Sequence, residues 1–196
     1  MIRILLAEDD TSMREYLARA LEKVGYHVTA VDPVAQLVDA ARAESSADDY
    51  HIATAADLPF ADQSFDLAVA YNVLMDVEDV PAAVKEIRRV LRASGSLIIA
   101  IVHPFIDRGR FASSAPDAPF VVEGSYFGRE RFEGMEERDG LRMHFAGWSQ
   151  PLEDYMAALE QAGLAITSLR EPVPDKARER GNRLPLFLWL KARPFA

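Results

Sequence analysis

Residues 57–104 read DLPFADQSFDLAVAYNVLMDVEDVPAAVKEIRRVLRASGSLIIAIVHP, and this stretch decides the fold. Phe65–Tyr71 is a short apolar run entered through a Leu-Pro-Phe turn, the pattern of a strand buried on both faces of a parallel sheet. Over Val80–Ala93, the residues Val80, Val84, Ile87, Val90 and Leu91 recur at helical spacing, while Lys85, Glu86, Arg88 and Arg89 fall elsewhere on the helix. Ser94-Gly95 is the expected helix stop, and Ser96–Val102 is a second apolar strand. The stretch is therefore a strand–helix–strand unit with both strands buried.

Toward the N-terminus, Ile2–Ala7 reads as a strand followed by Glu8-Asp9-Asp10, with Thr11 or Ser12 as a helix N-cap. Met13, Tyr16, Leu17, Ala20, Leu21 and Val24 form one helical face that stops at Gly25, and His27–Val31 is the next strand. Such a unit is wound right-handed with parallel strands. A helix over Val34–Glu44 and a strand near Tyr50–Thr54 complete the approach to the central unit. Beyond it, Phe105–Trp148 is rich in Gly, Pro, Arg and aromatic residues and reads as a loop excursion over the carboxyl edge of the sheet, where substrate contacts are commonly carried. A helix over Leu152–Gly163, a strand over Leu164–Arg170, a charged loop and a last strand over Leu184–Ala192 close the chain. The expected fold is α/β: a three-layer αβα domain, Rossmann-like, with a seven-stranded, mostly parallel sheet and a late antiparallel strand.

At 196 residues one domain is expected, with 49% hydrophobic and 27% charged residues, an ordinary globular balance. A net charge of −9 argues against binding duplex nucleic acid or an anionic membrane surface. The chain has no cysteine, which removes disulfides, thiolate metal sites and a cysteine nucleophile, and fits a cytoplasmic protein. No apolar run reaches membrane-spanning length, and acids stand where a signal peptide needs its apolar core. Oligomeric state is left open.

The motifs LPF-x-D-x-SFD, a strand ending Tyr71-Asn72, E-x-x-RVL-x-x-x-G and a strand closing at His103-Pro104 resemble class I S-adenosylmethionine-dependent methyltransferases of small molecules. The resemblance runs from about Asp32 to Arg193. It implies a methyltransferase arrangement of the sheet, S-adenosylmethionine as cofactor and a small-molecule acceptor. It places Asp32 at the acid that hydrogen-bonds the ribose hydroxyls, although an aspartate there equally caps the helix after Pro33. Thr54 takes the place of an acid that meets the adenine, with Asp57 nearby as a loop residue. Tyr71 and Asn72 would line the cofactor and substrate pocket, and His103 is a candidate general base whose plain alternative is a strand-end histidine with a satisfied hydrogen bond. Tyr126, Phe127, Phe132, Trp148 and Tyr155 either wall a substrate pocket or cover the sheet. One element of the family is missing: its glycine-rich loop after the first strand is Ala7-Glu8-Asp9-Asp10-Thr11-Ser12 here, so Cβ atoms and three carboxylates face the cofactor's methionine end.

Residues 1–31 carry a different resemblance. ILLAEDD-x-x-MR-x-x-L-x-x-ALE-x-x-GY-x-V is similar to the opening of response-regulator receiver domains. That family implies a Mg²⁺ site at Glu8 and Asp9. It also requires a phosphoacceptor aspartate where FDLAVAY ends in Tyr71, and tyrosine cannot form the acyl phosphate, so a signalling role is not expected. The two resemblances together imply an engineered chimera, a receiver-like segment over 1–32 joined to a methyltransferase-like body over 33–196 with its excursion near 105–149. Its cofactor binding is expected to be lost or weakened. The alternative is an active small-molecule methyltransferase.

Overall fold

The apolar runs of the central unit become neighbouring strands because neither can be exposed at tolerable cost. Phe65, Leu97, Ile99 and Ile101 are each at most 1% exposed, and burying side chains of this size contributes about 1.5–3 kcal/mol apiece. The computed structural model describes residues 2–7, 23, 25–138, 141–173 and 183–195. Within them the order is β1 (Arg3–Ala7), β2 (His27–Asp32), α1 (Ala35–Ala43), β3 (Asp49–Ile52), β4 (Phe65–Tyr71), α2 (Val80–Val90) and β5 (Leu91–Val102). A short 3₁₀ turn (Ile106–Arg108), β6 (Gly109–Phe111), β7 (Phe120–Val122), β8 (Glu130–Arg138), β9 (Leu141–Ser149), α3 (Leu152–Gln161), β10 (Leu164–Arg170) and β11 (Phe187–Pro194) follow.

Seven strands form one sheet in the order β10-β11-β5-β4-β1-β2-β3. Strands β3, β2, β1, β4 and β5 are mutually parallel, with Leu5 beside Thr29 and Val69 beside Ile98. Strand β11 runs antiparallel to both β5 and β10. Side-chain alternation divides the core between two faces. Leu5, Val31, Phe65 and Leu97 join α2 and α3 residues such as Val84, Ile87, Ala158 and Leu159 on one face. Leu6, Val28, Ala30 and Val69 group on the other, where α1 lies over Ala30 and Tyr50. This is the expected α/β architecture, and the strand order reverses direction between β1 and β4, where open sheets of this kind bind ligands.

The end of the central helix and the character of the excursion differ from the sequence reading, and the last strand runs over Phe187–Pro194 rather than Leu184–Ala192. Helix α2 starts where Asp79 accepts a hydrogen bond from the Ala82 amide at 2.9 Å, with Pro81 in the first turn, but it ends at Val90 rather than at Ser94-Gly95. Leu91 is fully buried beside Phe65 in the sheet, and Arg92 pairs with Asp66 at 2.5 Å, so strand pairing overrides helical propensity. Gly95 serves close approach instead: an added Cβ would lie 3.0 Å from Arg92 O and 3.1 Å from Asp66 O. The excursion over 105–149 is also no bare loop. Its backbone forms two antiparallel hairpins, β6–β7 and β8–β9. The helix read over Met13–Val24, its N-cap and the acids Glu8 and Asp9 lie outside the described residues.

Candidate functional site

The LPF-x-D turn and the E-x-x-R helix motif meet in space, and their first role is structural. Arg89 Nε and Nη2 donate to Glu86 at 2.8 and 2.6 Å, Nη2 also donates to Leu58 O at 3.0 Å, and Nη1 donates to Phe60 O and Asp62 at 2.7 and 2.6 Å. Glu86 in turn accepts from the Leu58 amide at 3.1 Å. The Arg89 guanidinium beside it, aided by that amide, holds the Glu86 carboxyl below its usual range. Phe60 packs edge-on against Phe65 and His51 at 5.0 and 4.8 Å between ring centres. The clamp fixes the loop after β3, and with it one wall of a cavity.

That cavity opens at the carboxyl ends of β1, β2 and β4, the position expected for a ligand in this topology. Its walls are mostly apolar, among them Val31, Ala53, Ala55, Leu58, Val73 and Leu74, and they enclose about 60 Å³. Asp32 stands at the end of β2 as an acid among these residues. Its Oδ1 also accepts from the Val34 amide at 2.7 Å, which closes a local turn ahead of α1; the helix itself has Val34 as N-cap and no side-chain cap, contrary to the capping expectation. Thr54 is exposed, bridges Asp57 and is not in the wall, which Ala53 and Ala55 supply on either side of it.

At the tip of β4, Tyr71 is half-buried and pairs in register with Ala100. Asn72 has φ 51°, a left-handed conformation that asparagine tolerates better than most residues. Its amide donates to Ala100 O at 2.8 Å, while its buried Oδ1 has no hydrogen-bond partner among the described residues. Neither Tyr71 nor Asn72, both expected to line the pocket, stands in the wall of the cavity, which Ala70 and Val73 supply on either side of them.

His103, after β5, is hydrogen-bonded through one ring nitrogen and faces a carboxylate with the other. Nδ1 accepts from the Phe105 amide at 3.2 Å, which leaves the proton on Nε2, 3.2 Å from Glu171. It is not in the wall of the cavity. Of the aromatics in the excursion and after it, Tyr126 accepts from the Leu152 amide at 3.0 Å and Phe127 is exposed. Trp148 lies under Arg129, 3.8 Å from the guanidinium carbon to the ring centre. Tyr155 is buried, and burial pushes its hydroxyl up to about 12, so it remains a neutral phenol at physiological pH. Gln150 lies near enough to lower that value slightly, yet its buried Nε2 makes no aligned hydrogen bond.

The excursion is docked on the edge by a few defined contacts. Trp148 donates its amide to Met75 O at 2.7 Å, and Arg129 donates to the carbonyls of Val77 and Glu78. Gly147 is required there, since a Cβ would stand 2.7 Å from Asp76 Oδ1 and 3.0 Å from Met75 O. Arg108, whose residue is 4% exposed, donates to Ser149 O at 3.0 Å and to Gly128 O. Neither this buried arginine nor the Glu86–Arg89 clamp is apparent from spacing alone. The only sequence trace of the first is the Arg content of the excursion; that of the second is the recurrence of acids and bases around LPF and RVL.

Among the described residues no group of three or more metal-ligating side chains comes together, and no helix is long and apolar enough to cross a membrane.

The strand order and cavity define a class I methyltransferase fold. A methyltransferase-domain family model matches residues 13–99, and so begins inside the receiver-like stretch rather than at Asp32. A Mesorhizobium loti S-adenosylmethionine-dependent methyltransferase superposes with a TM-score of 0.75 at 23% identity, covering 98% of this chain and 90% of that one. A candidate methyltransferase of the same kind from Listeria monocytogenes gives 0.78 at 17% identity, covering 100% and 90%. Among curated proteins, the response regulator receiver protein CpdR of Brucella abortus is 69% identical over 32 residues, 16% of this chain and 27% of that protein. The malonyl-[acyl-carrier protein] O-methyltransferase of Serratia marcescens is 29% identical over 85 residues, 43% of this chain and 33% of that protein. The chain thus spans about a third or less of the length of these curated relatives.

Proposed function

We propose that the chain serves methyl transfer from S-adenosylmethionine to a small-molecule acceptor, with cofactor affinity weakened by its first loop. The observation that carries this reading is the apolar cavity at the carboxyl ends of β1, β2 and β4 with Asp32 at its edge. The donor set suits an adenosine. A carboxylate accepts from two ribose hydroxyls, and Val31, Ala53, Leu58 and Val73 offer a base apolar contact. When bound, S-adenosylmethionine supplies an electrophilic methyl group on sulfur. The chain contributes position and exclusion of water, and the docked hairpins over the edge serve the second of these. No general base is assigned, because His103 does not stand in the wall of the cavity.

The loop 8–12 is EDDTS, and its side chains and charges oppose close approach of the cofactor's amino-acid end. A second reading, a receiver–methyltransferase chimera without activity, is favoured by the 69% identity with a receiver protein over 32 residues. Mg²⁺ at Glu8 and Asp9 belongs to that second reading. A cytoplasmic location accords with the absence of cysteine.

Asp32→Asn separates the roles of Asp32, because asparagine keeps an oxygen for the turn bond from the Val34 amide while losing the charge. Titration with S-adenosylhomocysteine is expected to show about tenfold weaker binding than wild type with an unchanged melting temperature. Equal affinity in the two proteins overturns the placement of the ribose.

A further inference from the structure

A second cavity lies apart from the first, under the excursion. It is a polar hollow of about 190 Å³ between the 3₁₀ turn and the β8–β9 hairpin, and Arg108, Arg131, Glu123, Glu130, Phe132 and Ser149 line it together with Asp107. Two of these five charges are committed to partners outside the hollow. Arg131 pairs with Glu133 at 2.8 Å, and Glu123 pairs with Arg110 at 2.7 Å.

Arg108 differs. Its side chain is 3% exposed, yet Nε and Nη1 make no hydrogen bond among the described residues. Nη1 lies 3.1 Å from Glu130 Oε2, close enough for attraction but not aligned as a hydrogen bond. Ser149 Oγ, on the same wall, is likewise buried and without a partner. A desolvated guanidinium with idle donors is costly unless something anionic meets it. Glu130 is a poor resident for that purpose, because its side chain is 68% exposed and can turn to water at little cost.

The geometry points to the Arg108 hollow as the seat of a carboxylate on the methyl acceptor, with Glu130 as a carboxylate placeholder that the ligand displaces. Its assignment to the acceptor rests on the methyl-transfer reading; the carboxylate site itself does not. Phe132 gives the hollow one apolar side, so the ligand best matched to it is a small aromatic or unsaturated carboxylic acid.

The test uses benzoate as probe and benzamide as its uncharged match, with ligand-observed NMR titration of the full chain. Benzoate is expected to bind at least fivefold more tightly than benzamide. Glu130→Gln is expected to tighten benzoate about threefold by removing its competitor, while Glu123→Gln, which changes net charge equally, leaves affinity within twofold. Ser149→Ala is expected to weaken benzoate about threefold, with folding verified by melting temperature. Equal binding of benzoate and benzamide, or equal gains in the two Glu→Gln variants, overturns the proposal. A parallel titration with S-adenosylhomocysteine keeps the two readings apart. Its failure alone removes the methyl-transfer assignment and leaves the carboxylate site standing; failure of benzoate alone does the reverse.

Discussion

Replacing Arg89 by Met tests whether the sequence motif at LPF and RVL is a structural clamp. Arg89 makes five hydrogen bonds, two to Glu86 within α2 and three that join the helix to the turn at Leu58–Asp62. In isolation, bonds involving a charged group contribute about 1.5–3 kcal/mol each. The side chain is 32% exposed and Asp62 is 73% exposed, so water replaces much of what is lost at that pair, and only the Glu86 and carbonyl bonds count substantially. Methionine also retains part of the stem packing. The expected destabilisation is about 2–3 kcal/mol, seen as a fall of roughly 5–10 °C in melting temperature for a chain of this size. Urea unfolding gives the free energy, and a double-mutant cycle with Glu86→Gln gives the coupling, expected at about 1–2 kcal/mol. A loss below about 0.5 kcal/mol with additive single effects would falsify the clamp.

The same clamp sets a pH dependence. Glu86 is held below its ordinary value of 4.5 by Arg89, and Asp66 below 3.8, chiefly by the Arg3 amide. Lowered folded-state values mean stability that is present above the ordinary values and lost as pH falls through the shifted ones. The urea midpoint is therefore expected to hold from pH 7 to about 5 and to drop below about 4.5, less steeply in Arg89→Met; a midpoint flat to pH 3 contradicts this. Gly147→Ala places a methyl 2.7 Å from Asp76 Oδ1 and 3.0 Å from Met75 O, so the β8–β9 hairpin is expected to lift from the edge. The expected cost is about 1–3 kcal/mol, with faster amide exchange at Trp148, whose amide is bonded to Met75; unchanged exchange there refutes the docking.

The sheet was legible wherever burial left a compositional trace. Phe65–Tyr71 and Leu164–Arg170 have the bounds that their apolar and β-branched runs imply. The end of α2 was not legible, because Ser94-Gly95 is a good local stop and only the long-range pairing of Leu91 with Phe65 ends the helix sooner. Hairpin β8–β9 was hidden for another reason. Glu130–Arg138 reads ERFEGMEER, whose charges erase the apolar alternation that marks a strand. Of the residues the resemblance singled out, Asp32 lies in the cavity wall, whereas Tyr71, Asn72 and His103 do not. Thr54 was misled by one position, since the alternation of an exposed bridge turns Ala53 and Ala55 inward instead. Arg108 left no signal beyond the Arg content of the excursion, because its burial is created by hairpins that the sequence conceals.

The most direct test of the account is isothermal titration calorimetry with S-adenosylhomocysteine on the wild-type chain and on Glu8→Gly/Asp10→Gly/Ser12→Gly, which restores alternating glycines after β1. The account predicts weak binding to wild type, with a dissociation constant above about 10 µM, and tightening of at least about tenfold in the variant. No heat of binding to either protein, with both shown to be folded, contradicts the placement of the cofactor at the ends of β1, β2 and β4.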